Sequence, residues 1–391
     1  MIHFKLPSFW KIYFYILLII SFSLLISKGG LIRIFSYIGL FALTYFYLKE
    51  YFTNNIKLGF NKILLIPLAY ILLDMIATKS INLNNEHMKL ILATSFGVGV
   101  FALAKNQIHS TKYLLNSTIL LLVLFMIFQV FSIFVLGKLN GTQKNPHYLA
   151  LYSAYALQIG LFYYFTETRN IKHIIPIVVA ILLGLILSTS SRPTWIALFI
   201  AAFLCMLFLK DKIKNLALVL IILVPSILFF TNAWNFGGRL KELFINISSE
   251  ERVVIWSDTW TMQKSSNNLQ WLFGNGLDKF EENFKVFSRY HLEGNDFTIP
   301  HNSVLEVLYS SGLVGVGLFF IVYFFTSYHL IDIIKKSDKF KSLALLLFSM
   351  LIVNFFMGLI TIKWFTHLNS YVLTAIIGLT IYIKSYYLQK K

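Results

Sequence analysis

The sequence contains few of the residues that build soluble enzymes and disulfide-bonded domains. Cys205 is the single cysteine among 391 residues, which excludes a disulfide within the chain and a metal site with several cysteine ligands. Charged residues make up 13% of the chain, whereas a soluble globular domain carries about 25%. Acidic residues are the scarcest, with 17 Asp and Glu against 34 Lys and Arg. A water-soluble globular protein is therefore excluded.

Long apolar runs stand where the charged residues are missing. Hydrophobic residues make up 57% of the chain, and roughly 18 to 20 consecutive apolar residues can cross a bilayer. Twelve runs approach that length: 10–27, 31–48, 63–78, 88–104, 113–137, 148–165, 174–188, 194–209, 215–231, 304–328, 342–360 and 370–388. Because lipid cannot satisfy free backbone N–H and C=O groups, these runs must be helices. We predict an all-α polytopic membrane protein with about 12 transmembrane helices, the first of them uncleaved.

Lys and Arg are unevenly divided between the two sides of the predicted membrane domain. If the N-terminus is cytoplasmic, nineteen of the Lys and Arg residues lie on the inner side and eight lie in short outer connections. Short cytoplasmic connections carry the excess of Lys and Arg in membrane proteins, so we predict that both termini are cytoplasmic. The net charge of +17 then reflects membrane anchoring. The chain has no basic face with base-stacking aromatics, so we expect no nucleic-acid partner.

One segment, residues 232–302, differs in composition from the rest of the chain. It holds nine of the seventeen acidic residues, and connections of this length tend to be functional. We predict helices 1–9 in residues 1–231, a large periplasmic loop with short amphipathic helices in 232–302, and helices 10–12 in 303–391. Within the loop, Val253, Trp256 and Trp260 recur at helical spacing, which predicts a helix over residues 249–264.

Two groups of glycines mark backbone turns or close contacts. Phe273-Gly274-Asn275-Gly276 has the composition of a turn, and its glycine pair is too short for a phosphate-binding loop. Gly312, Gly315 and Gly317 follow in the tenth run, where small residues let helices approach closely. We therefore expect structural roles for these glycines.

His301 is the first candidate for chemistry. It lies in Pro300-His301-Asn302-Ser303, where the long loop ends and the tenth apolar run begins. A nearly neutral imidazole at the outer rim can take a proton from a hydroxyl near neutral pH. Asn302 and Glu306 are close enough in sequence to orient the ring or to contact the substrate. The alternative is an interfacial histidine in a turn that opens a helix.

Basic residues on the predicted outer side are the second group of candidates. Arg192 interrupts two apolar runs, and its planar donor fork suits a pyrophosphate. Pro193 indicates a helix start there, and helix N-termini bind anions. Arg252, and less strongly Arg239, could face the same anion, and Lys89 could add charge. The alternatives are a helix-end arginine that reaches water, pairing with neighbouring glutamates, and a boundary lysine that anchors its helix.

Together these features resemble the bacterial O-antigen ligase and polymerase superfamily. The marks are Ser191-Arg192 with Trp195, Arg252 with Trp256, the Gly274-x-Gly276 turn, and the loop exit Pro300-His301-Asn302-Ser303 followed by Leu305-Glu306 and Gly312-Leu313-Val314-Gly315. The twelve-helix layout with a large loop between helices 9 and 10 is also similar, so the resemblance covers essentially the whole chain.

The resemblance implies a glycosyltransferase of the bacterial inner membrane. The donor would be a glycan linked to undecaprenyl pyrophosphate, and the transfer would need neither metal nor another cofactor. His301 would activate the acceptor hydroxyl, while Arg192 and Arg252 would hold the departing pyrophosphate. Inversion at the anomeric carbon is the hypothesis, because a single displacement with one base produces it.

The resemblance leaves the acceptor open. A ligase passes the finished glycan to a sugar of lipid A-core, whereas a polymerase passes it to another lipid-linked repeat unit. The single long outer loop and the short connection 138–147 favour the ligase, since O-antigen polymerases often have two sizeable outer loops. A transporter of lipid-linked oligosaccharide is a third reading; it predicts internal repeats and charges deep within the spans, which the sequence does not show.

Overall fold

The computed structural model describes residue 63 and residues 66–81, 85–106, 111–137, 145–166, 175–189, 191–209, 251–288, 299–361 and 367–388. All regular secondary structure in these residues is helical. The α-helices are α1 Ile66–Thr78, α2 Asn85–Asn106, α3 Thr111–Phe134, α4 Pro146–Thr166, α5 Ile175–Ser188, α6 Arg192–Met206, α7 Glu251–Lys264, α8 Asn268–Phe273, α9 Phe280–Phe287, α10 Ser303–Lys336, α11 Lys341–Ile360 and α12 His367–Leu388.

The apolar helices are those of a membrane protein. Within the described ranges, α10 and α11 are long and apolar enough to cross a bilayer, with mean hydropathies of 2.0 and 2.5. Helices α1 to α6 and α12 coincide with other predicted runs. The runs 10–27, 31–48 and 215–231 lie outside the described residues. The all-helical class is confirmed, while the number of spans and their orientation stay predictions.

A buried polar cluster joins four of the long helices. Asn354 of α11 accepts a hydrogen bond from the hydroxyl of Tyr323 in α10 at 2.6 Å. Its amide nitrogen donates to the hydroxyl of Tyr155 in α4 at 2.9 Å and to the Asn369 side chain of α12 at 2.7 Å. Buried polar groups of this kind are costly unless they are paired, so the cluster fixes how these helices register against each other.

The helix α10 is broken at Gly312, where the segment that carries α7 to α9 docks against it. Gly312 has φ 64° and ψ −166°, which is backbone geometry essentially restricted to glycine. At the break, the carbonyls of Tyr309 and Ser310 accept hydrogen bonds from the backbone N–H groups of Asn275 and Gly276, at 2.8 and 3.1 Å. The two predicted glycine groups therefore meet in one contact.

A buried contact between a carboxylate of α1 and an imidazole of α2 supports the same docking contact. Asp74 and His87 are both buried, and the carboxylate lies 2.8 Å from the imidazole Nε2. The other carboxylate oxygen accepts the backbone N–H of Leu277 at 2.6 Å. A small apolar core of Ile255, Met262, Phe280, Phe284 and Tyr309 packs α7 and α9 on α10. The docked segment is thus fixed by polar and apolar contacts together.

Candidate functional site

His301 lies in the turn before α10, held in a conformation that few residues adopt. Its φ is 53°, in the left-handed region, where a residue other than glycine is uncommon. Its Nδ1 lies 3.1 Å from the carbonyl oxygen of Thr361, just beyond α11. A carbonyl can only accept, so Nδ1 carries the proton and donates. A neutral ring then has its lone pair on Nε2, which is the form that a general base requires.

The two neighbours predicted to assist His301 contribute to the start of α10. The side-chain oxygen of Asn302 accepts the backbone N–H groups of Val304 and Leu305, at 2.9 and 3.1 Å, and so caps the helix. Only its amide nitrogen is left for the predicted substrate contact. Glu306 is buried in the first turn, where a carboxylate interacts favourably with the helix dipole. Substrate binding by either residue stays a prediction.

Arg192 is the first residue of α6, as Pro193 indicated. Ser191 is the N-cap residue, and its carbonyl accepts the backbone N–H of Thr194 at 3.1 Å. The hydroxyls of Ser191 and Thr194 lie 2.9 Å apart in a buried contact. This rigid turn sets the direction in which the Arg192 side chain leaves the helix.

Arg252 is the second residue of α7, the helix predicted over residues 249–264. The structure has that helix at Glu251–Lys264; the two residues before it lie outside the described ranges. The guanidinium Nη2 of Arg252 lies 3.1 Å from Nε2 of His147 at the start of α4. One turn along, the indole N–H of Trp256 is buried without a hydrogen-bond partner in the described part of the chain.

His147 was not among the predicted site residues, yet it lies at the centre of this cluster. Its Nδ1 is 2.9 Å from the hydroxyl oxygen of Ser191. Burial, and then the charges of Arg252, His301 and Arg192 in that order, lower the pKa of His147 to about 4. The imidazole, which precedes the predicted span 148–165, is therefore neutral at physiological pH. Arg252 contacts His147 directly, Arg192 follows the Ser191 that His147 also contacts, and His301 is near enough to act on the ring.

The cluster is built at the N-termini of four helices. His147 is the second residue of α4, Arg192 the first of α6, Arg252 the second of α7, and His301 lies just before the cap of α10. Each helix N-terminus carries a partial positive charge. Cationic side chains at such positions are unfavourable by about 0.3–1 kcal/mol each unless an anion offsets them. The arrangement is suited to a multiply charged anion.

Lys89 and Arg239 are the two other basic residues predicted at the site. Lys89, on α2, forms an ion pair with Glu86 at 2.5 Å, which fits the anchoring alternative. Arg239 lies outside the described residues. Within the described ranges, no three His, Cys, Asp or Glu side chains come together as a metal site would need.

Comparison with known families matches one part of this chain. Residues 177–320 match the family model described as O-antigen ligase. The matched segment contains Arg192, Arg252 and His301, whereas His147 precedes it. No curated protein matches the chain significantly. The resemblance to the O-antigen ligase and polymerase superfamily is confirmed by this segment.

Proposed function

We propose that the protein is an O-antigen ligase that transfers a polymerised glycan from undecaprenyl pyrophosphate to a sugar hydroxyl of lipid A-core. The reaction takes place at the periplasmic face of the inner membrane, and no metal takes part. The observation that carries this proposal is the cluster of His301, Arg192 and Arg252 at converging helix N-termini, inside the segment that matches O-antigen ligases.

His301 is the base in the proposed reaction. The acceptor oxygen forms a bond to the anomeric carbon while the bond from that carbon to the pyrophosphate oxygen breaks. The acceptor proton passes to Nε2 of His301, whose Nδ1 proton is held by the Thr361 carbonyl. An alcohol is a very weak acid, so removing this proton as the new bond forms accelerates the step by about 10²- to 10⁴-fold. One displacement of this kind inverts the anomeric carbon.

Arg192 and Arg252 stabilise the leaving group. Negative charge grows on the pyrophosphate as the glycosidic bond breaks, and preorganised donors at that position lower the barrier. Guanidinium groups bind phosphate oxygens through two parallel hydrogen bonds, which fixes direction as well as charge. Pyrophosphate leaves as an anion and needs no protonating acid.

The orientation follows from the predicted spans. α4, α6 and α10 are alternate spans in the proposed topology, and all three begin at the site. With the N-terminus in the cytoplasm, each of these spans begins at the periplasmic surface. The proposed division into residues 1–231, 232–302 and 303–391 then places α7 to α9 in the periplasmic loop, over the site.

The test is transfer by the purified full-length protein with an undecaprenyl-pyrophosphate glycan as donor. With lipid A-core as acceptor we expect a glycan–lipid A-core product, and His301→Ala should lower its rate by about 10²- to 10⁴-fold at unchanged protein level. Longer lipid-linked chains formed from lipid-linked repeats, with none formed on lipid A-core, would identify a polymerase. Movement of intact donor across the bilayer without either product would identify a transporter and overturn the proposal.

A further inference from the structure

His147 is held at a fixed position by the turn that opens α4. The side-chain oxygen of Asn145 accepts the backbone N–H of His147 at 2.8 Å, and its carbonyl accepts that of Tyr148 at 3.1 Å. Pro146, the first helical residue, has a φ already suited to a helix. The imidazole therefore leaves the helix in one direction, toward α6 and α7.

The hydrogen-bond partners of His147 fix which nitrogen carries the proton. Arginine is always protonated and only donates, so Nε2 of His147 must accept from Arg252. In a neutral ring, Nδ1 then carries the proton and donates to the hydroxyl of Ser191. The Ser191 hydroxyl donates onward to Thr194, whose hydroxyl donates to the sulfur of Met357 at 3.3 Å. Each donor in this series has one acceptor, and all the hydrogen bonds are donated in one direction, from Arg252 toward Met357.

We propose that His147 is a positioning residue that holds the guanidinium of Arg252 in place for a diphosphate, an inference that rests on the proposed function. It acts through Nε2, which accepts one N–H of Arg252 and so fixes the direction of the guanidinium. The Ser191 hydroxyl keeps the ring in this tautomer and orientation, and so links the starts of α4, α6 and α7.

The charges around His147 maintain this role. Burial acts most, and the positive charges of Arg252 on α7 and Arg192 on α6 add to it, so the ring stays neutral; His301 before α10 adds to this effect when it is protonated. A protonated ring would place a second proton toward Arg252 and repel it. His147 therefore differs from His301: both rings are protonated at Nδ1, but the acceptor nitrogen of His147 serves an arginine of the site rather than the reacting hydroxyl.

Two substitutions separate the roles of the two ring nitrogens. In His147→Gln the side-chain oxygen can reach the place of Nε2 and still accept from Arg252. In His147→Asn the shorter amide reaches only the place of Nδ1, so it can donate to Ser191 but leaves Arg252 without this acceptor. Both variants are polar, uncharged and close in size, so a general effect on folding should be similar in the two.

The probe is inorganic pyrophosphate, titrated into the full-length protein in detergent. We expect the Kd to rise about tenfold or more in His147→Asn, the loss of one charge-assisted hydrogen bond, and to stay within about threefold of wild type in His147→Gln. The KM for the lipid-linked donor should follow the same order. Nitrogen chemical shifts of His147, assigned by their loss in His147→Gln, should show a protonated Nδ1 and an unprotonated Nε2 near neutral pH.

Different failures have different meanings in this experiment. If wild-type protein does not bind pyrophosphate, the proposed diphosphate site is wrong. If it binds and the two variants have equal Kd values, or if His147→Asn binds better than His147→Gln, the positioning role is wrong while the diphosphate site stands. A proton found on Nε2 in place of Nδ1 would also overturn the role of His147.

Discussion

Gly312→Ala tests whether the break in α10 determines the position of Arg252. A Cβ at Gly312 would lie 2.3 Å from the carbonyl oxygen of Leu272 and 2.6 Å from the backbone nitrogen of Phe273. Both are backbone atoms, so the docked segment would have to move. The substitution also forces alanine into geometry that is essentially restricted to glycine.

The expected cost follows from these contacts. The strained backbone contributes about 1–3 kcal/mol. Separation of the segments breaks the hydrogen bonds from Asn275 to Tyr309 and from Gly276 to Ser310, each worth about 1 kcal/mol. The sum of about 3–5 kcal/mol lowers the ratio of docked to undocked segment by about 10²- to 10⁴-fold. We expect glycan transfer to fall steeply and the chain between α7 and α9 to become sensitive to protease.

Gly317→Ala is the matched control. Gly317 lies on the same helix, and a Cβ added there meets no heavy atom within 4 Å. Alanine is also the better helix former by about 1 kcal/mol, so this variant should keep its activity and its resistance to protease. If Gly312→Ala behaves like Gly317→Ala in both assays, the docking argument fails.

Three further outcomes are expected from the site and its support. Arg192→Lys keeps the charge but loses the planar fork of N–H groups, so turnover of the lipid-linked glycan should fall by about tenfold or more. The control is Lys279→Ala, which removes an exposed cation paired with Glu282 and should leave turnover unchanged. The neutral His147 contributes stability that is fully present above pH ~6.5 and is lost as the pH falls to about 4. The melting temperature of wild type should therefore fall more across that window than that of His147→Gln. Asp74→Ala leaves the Leu277 N–H without its acceptor and should cost about 3 kcal/mol, measured by chemical unfolding, and Asp74→Asn should cost less; equal costs would contradict this account.

The helices and the boundary residues could be predicted because their signals are local. The predicted apolar runs coincide with α1 to α6 before the loop segment and with α10, α11 and α12 after it. Pro193 marked the start of α6, and the spacing of Val253, Trp256 and Trp260 marked α7. His301 was found because it stands where a polar segment meets an apolar run. The same signal is present in Asn145-Pro146-His147 before the run 148–165, and it could have identified His147.

The contacts between distant segments could not be predicted from such signals. His147 and Arg252 are 105 residues apart, and neither periodicity nor composition pairs them. The break at Gly312 lies inside an apolar run that reads as continuous, because its cause is a backbone contact with Asn275 and Gly276. In each case the partner is set by packing and not by sequence spacing.

The docking contact and Arg252 should act as one unit, which a double-mutant cycle can measure. His147, Arg192 and His301 lie at the ends of bundle helices, whereas Arg252 is carried by the docked segment. If Gly312→Ala lowers transfer only by displacing Arg252, adding it to Arg252→Ala should cause no further loss. Independent effects would multiply instead, since sites that do not interact contribute additive free energies. Multiplied losses would mean that Gly312 supports the site by another route, and the inference from the break in α10 to the position of Arg252 would be wrong.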